Sequence, residues 1–236
     1  MKALHLFFIL SLSILTIGCQ DESTEYHSLS VIIDRSEVHS YSPKASDVLS
    51  YIKQDGYSDG ISISLRYISN TFYGERIEFV LDASDTGWFS NMNDNRKRQR
   101  QFLKRFEDSL AVFNAKQQPL ERSEVVRLVG EELMKASQQT SPVSILLFSD
   151  LKEHSRQYSV YDPAQVNRLL QYPDKASNQL FKGVSLPVDL TGVTFHIIYE
   201  PMIAEAQVFG AMVAIYREAI QSRGGKVIVG RQTVIH

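Results

Sequence analysis

Three short aliphatic runs, each closed by a polar residue, constrain this chain more than any other feature. They are Ser28-Leu29-Ser30-Val31-Ile32-Ile33-Asp34, Ser144-Ile145-Leu146-Leu147-Phe148-Ser149-Asp150 and Val193-Thr194-Phe195-His196-Ile197-Ile198-Tyr199. Runs this apolar suit strands covered on both faces, as in parallel sheets. Parallel strands need long crossovers, usually helical, and the intervening sequence supplies them. Ser42-Pro43 offers an N-cap and a first-turn proline, followed by Ala45, Val48, Leu49 and Ile52 at helical spacing. Residues 96–113 place Phe102, Leu103, Phe106, Leu110 and Phe113 on one helical face. Further helices are expected over 123–136 and 204–222, the latter stopped by Gly224-Gly225.

Ile61 to Ile68 alternates apolar and polar residues, and after the turn residues 70–74 a second strand returns over Arg76 to Leu81. That pair reads as an antiparallel hairpin. Val227-Ile228-Val229 closes the sheet, while 152–190 reads as an irregular insertion with one short helix at 163–170. The expected fold is therefore α/β: a mainly parallel, Rossmann-like sheet with one antiparallel edge strand and helices on both faces.

The N-terminus predicts export. Lys2 precedes an apolar run from Leu6 to Ile17, shorter than a typical membrane span, and the small residue Gly18 ends it. Leu15-Thr16-Ile17-Gly18-Cys19 resembles the bacterial lipobox, whose cysteine is acylated and becomes the mature N-terminus; Thr16 stands where leucine is usual. The resemblance divides the chain into a signal peptide (1–18), a lipidated flexible tether (19–27) and an α/β domain (28–236). It implies lipidation at Cys19 and a membrane attachment through that lipid. Gln20 is not the inner-membrane retention aspartate of enteric lipoproteins, so the outer membrane is favoured.

Cys19 is the only cysteine, which excludes an internal disulfide or a cysteine-rich zinc site. A net charge of -2 gives no whole-chain case for nucleic acid, a ligand that export also argues against. No Gly-x-Gly-x-x-Gly, phosphate loop, nucleophile elbow or His-Glu-x-x-His is present, so no catalytic set stands out and the chain reads as a non-enzyme.

Asp34 and Asp150 end apolar strands, so both belong at the carboxyl edge of the sheet, where open α/β sheets bind ligands. This order of elements resembles the von Willebrand factor A (vWA) domain. The family's metal-ion-dependent adhesion site uses Asp-x-Ser-x-Ser after the first strand, a later threonine and a last aspartate. Here Asp34-Arg35-Ser36-Glu37-Val38 keeps the aspartate and first serine but has Val38 for the second; Ser123 lies near the threonine slot, and Asp150 fits the last aspartate. The resemblance implies Mg²⁺ held by Asp34, Ser36, Ser123 and Asp150, with Arg35 and Glu37 beside it for binding. Without a hydroxyl at position 38, where Val38 stands, a degenerate site is favoured over a working one.

The function expected is a lipid-anchored, extracytoplasmic vWA-like domain binding another envelope protein at this edge, with or without the metal. Two alternatives stay open: an envelope hydrolase on a Rossmann-like sheet using Asp34 and Asp150, and a purely structural lipoprotein. One more feature is unassigned. The basic run Arg96-Lys97-Arg98-Gln99-Arg100, continued by Lys104 and Arg105, lies opposite an apolar helix face. It suits anionic headgroups, an acidic partner or simple solvation.

Overall fold

The computed structural model describes residues 26–36, 42–52, 60–68, 76–83, 92–115 and 122–230. Cys19, Glu37 and Val38 lie outside the described residues.

Six strands form one sheet: β1 (His27–Ile33), β2 (Ile61–Tyr67), β3 (Arg76–Leu81), β4 (Val143–Phe148), β5 (Val193–Ile198) and β6 (Lys226–Gly230). Their order is β3-β2-β1-β4-β5-β6. Every pairing is parallel except the β2–β3 hairpin at one edge. The protein thus has the mixed Rossmann-like α/β architecture. The chain runs outward from β1 to β3, then crosses back to β4 on the other side of β1. That reversal creates a switch point, a crevice between β1 and β4 at their carboxyl ends.

The helices, among the described residues, are α1 (Ala45–Leu49), α2 (Met92–Ala115), α3 (Val125–Ala136), α4 (Pro163–Gln171), α5 (Pro173–Leu180) and α6 (Ala206–Gln221). None is long and apolar enough to cross a membrane. Alternate residues of the central strands feed opposite faces. Ile32, Ile145, Leu147, Phe195 and Ile197 pack with α3 to α6, whereas Val31, Ile33, Leu146 and Phe148 pack with α1 and α2.

Two expectations change. The first helix begins after Lys44 rather than after Ser42: the Lys44 N–H donates to Asp47 Oδ2 at 2.8 Å, which anchors the first turn later. The 152–190 insertion is more regular than its sequence suggests. Asp162 accepts from the Ala164 N–H to start α4, and Pro173 opens a second helix, α5, instead of ending the first. Proline is well suited to the first helical turn because its missing N–H has no intrahelical role there.

Candidate functional site

The register of β1 on β4 pairs Ile33 with Phe148, which sets Asp34 beside Ser149 at the switch point. The Asp34 N–H donates to the Phe148 carbonyl at 2.8 Å, continuing the ladder by one residue. Asp34 is only 2% exposed, so its carboxylate needs internal partners. It has them: Oδ1 accepts the Ser36 N–H at 3.0 Å and Oδ2 accepts the Ser149 hydroxyl at 2.7 Å. Ser149 in turn accepts the Leu151 N–H at 2.9 Å.

Asp150 follows, and the backbone then turns sharply. Leu151 has a φ of 63°, the one positive value outside glycine among the described residues. Such left-handed geometry costs a side-chain-bearing residue about 1–2 kcal/mol and concentrates at functional sites. The turn lets the Lys152 N–H donate to Asp150 Oδ1 at 2.9 Å and brings the Lys152 ammonium to 3.2 Å from Oδ2. The same ammonium lies 2.8 Å from Glu205 Oε1. Glu205 Oε2 accepts the Tyr199 hydroxyl at 3.0 Å. The bond from Lys152 holds the Glu205 carboxyl below its ordinary range, and burial raises the Tyr199 phenol above its own.

Ser123 reaches this edge from a different direction. Its N–H and carbonyl exchange hydrogen bonds with His154 at 3.0 and 2.8 Å, joining the start of α3 to the segment after β4. Its buried hydroxyl has no hydrogen-bond partner among the described residues. Next to it, Glu153 is 2% exposed and accepts the Val126 N–H at 3.0 Å, satisfying one of the free donors in the first turn of α3. Burial lifts the Glu153 carboxyl to about 7. Glu153 also lines a 170 Å³ cavity with Arg127, Arg156 and Lys182.

The fold therefore brings Asp34, Ser36, Ser123 and Asp150 to one edge. Arg35 sits there too, but it is 5% exposed and its guanidinium is used internally. It donates to the Ser42 hydroxyl and, at 2.6 Å, to the Asn114 carbonyl at the end of α2. That placement makes it a brace between the segment after β1 and the end of α2 rather than a surface contact.

A divalent ion fits this donor set poorly. Of the buried hydroxyls at this edge, that of Ser123 is left without a partner among the described residues. Both Asp34 oxygens are engaged, and the Lys152 ammonium already neutralises Asp150. A divalent ion about 4 Å from that ammonium would meet a repulsion of about 8 kcal/mol at an effective dielectric of about 20. Among the described residues, no group of three or more His, Cys, Asp or Glu is arranged to hold a metal.

The sequence reading missed Ser149, Lys152, Glu153, Tyr199 and Glu205. Ser149 was not recoverable from the runs alone: aligned end to end they set Asp34 opposite Asp150, whereas the observed register sets it opposite Ser149. Glu205 carried no local signal, because the β5–α6 loop delivers it.

No family profile and no curated protein sequence matches the chain. Among solved structures, it is similar to the human COPII-coat protein Sec24c at 13% identity, covering 91% of this chain and 31% of that one, with a TM-score of 0.37. The chain thus spans about a third of that protein's length. At this score the likeness carries no argument about the site.

Proposed function

We propose that the protein is a lipid-anchored, extracytoplasmic vWA-like domain that binds another protein of the cell envelope through the carboxyl edge of its sheet, without a metal. The observation that carries this reading is the β5–α6 loop. It exposes Met202 by 66% and Ile203 by 99%, immediately before the Glu205–Lys152–Asp150 network. Apolar side chains extended into water beside fixed polar groups match the anatomy of a protein interface, an apolar centre with a polar rim. Buried Asp34, Ser149 and Arg35 then serve to hold the edge in shape. Ser149, 4% exposed, is likewise committed to Asp34.

A photo-crosslinking residue in place of Ile203 should capture a discrete envelope protein in living cells. The same residue in place of Val188, 94% exposed on the approach to β5 at the opposite edge, should not. The Ile203 adduct should persist unchanged when divalent ions are chelated. Equal labelling from both positions, or loss of the adduct on chelation, would sink the reading or its metal-free form respectively.

A further inference from the structure

The basic run on α2 has no role at the carboxyl edge, and the topology shows why. The C-terminal end of α2 is fixed at that edge, where the Asn114 carbonyl accepts from Arg35 and the Asn114 amide donates to Pro43 at 2.9 Å. The helix then runs toward the amino edge. Phe106 meets Phe79 edge-on at 5.3 Å, and Phe79 pairs with Ile63, which pairs with Leu29, the third residue of β1. From Phe106 back to Met92 is a rise of about 21 Å, whereas Leu29 is only about 7 Å from the start of β1. Even with an oblique helix, the first turns of α2 overhang the amino edge by about 10 Å.

Arg96, Lys97 and Arg98 lie on this overhang and Arg100, Lys104 and Arg105 follow along the helix, all exposed; Asp94 is the only acidic residue over 92–105, before Glu107 and Asp108. Among the described residues, the other charges at the amino edge include Asp82 and Asp189 against Arg223 and Lys226, so the cations of α2 stand in excess. Tyr26, the described residue nearest the tether, enters β1 at this same edge.

We infer that the overhanging start of α2 is a docking surface for an anionic lipid bilayer. The inference rests on the lipid-anchor reading for its orientation: the tether and the cations share one edge, so the acyl chains would bring these cations to the headgroups. Electrostatic attraction of a basic cluster to anionic lipid supplements a hydrophobic anchor and fixes how the domain stands on the surface. An acidic protein is the competing occupant, and it has no reason to favour the edge from which the tether leaves.

Among the described residues the buried core lies between Leu29 and Ile220, and the chain beginning at residue 19 contains all of it. With Cys19→Ser, this mature chain should bind vesicles containing phosphatidylglycerol and not vesicles of phosphatidylcholine alone, and added salt should release it. The triple variant Arg96→Gln, Lys97→Gln, Arg98→Gln should bind about a hundredfold more weakly, at about fivefold per cation. Its apolar face is untouched, and an unchanged melting temperature confirms that it folds. Neutralising Arg122 and Arg156 at the far edge should leave binding unaltered. Equal binding to both vesicles, no binding at low salt, or tighter binding to polyglutamate than to phosphatidylglycerol would overturn the inference. A lipidated wild-type chain that fails to float with neutral vesicles would count against the anchor alone.

Discussion

Glu153 shows how one residue ties the site to stability. Its carboxyl releases a proton near 7 when folded but near the ordinary 4.5 when the chain is open, because burial penalises the charge more than the Val126 N–H and its other donors favour it. Between those values the folded state holds more protons, so Glu153's contribution to stability falls as pH rises and is flat beyond both limits. The cost of the charged form is about 3 kcal/mol above pH 7. Glu153→Gln keeps a carbonyl for the Val126 N–H and removes the ionisation. Denaturant titrations should find variant and wild type within about 1 kcal/mol at pH 4.5, and the variant ahead by about 1–3 kcal/mol at pH 8. Parallel pH profiles for the two proteins would show that the buried carboxyl does not titrate in this range. Glu132 gives a useful contrast, because burial alone would raise it too. Bonds from Arg76, Arg66 and Ser30 more than offset burial and hold its carboxyl below the ordinary range.

Among the elements, α3 and the insertion depend on each other at one position. Gly130 faces Val184 so closely that an added Cβ would lie 2.3 Å from Val184 Cγ1. Gly130→Ala should gain about 1 kcal/mol of helix propensity but lose about 1–3 kcal/mol to overpacking, because a β-branched neighbour has few ways to yield. The expected net result is a lower melting temperature, recovered when Val184→Ala is added. A single Gly130→Ala variant as stable as wild type would mean that the insertion docks loosely on α3. This contact also shows where sequence reasoning ran out. The central strands and the hairpin were legible because burial on two faces or one leaves a direct mark on residue type. The insertion was not: α5 buries only Ala176 and Leu180, and Pro173, a stop signal in most contexts, serves as its start. The site divided the same way. Asp34 and Asp150 were visible at strand ends, whereas the Lys152–Glu205 pair joins residues from different loops and depends on the left-handed turn at Leu151.

The molecule as a whole separates its two proposed contacts by the length of its strands. A seven-residue strand spans about 23 Å, so the edge beside Tyr26 and the edge carrying Asp34, Lys152 and Ile203 are opposite ends of the sheet. If Cys19 carries lipid, the first edge faces the membrane and the second is held out from it. The anchor then does two physical jobs. It keeps the protein at the surface, since each buried methylene contributes about 0.8 kcal/mol, and it raises the effective concentration of the outward edge near any partner fixed in the same envelope. Cys19→Ser should therefore shift the protein from the membrane fraction to the soluble fraction. It should also reduce the Ile203 crosslink by a factor that overexpression of the soluble form restores, because the interface itself is intact. A Cys19→Ser chain that stays with the membrane would defeat lipidation as the attachment. A released chain whose crosslink cannot be restored by concentration would instead show that the lipid end takes part in recognition.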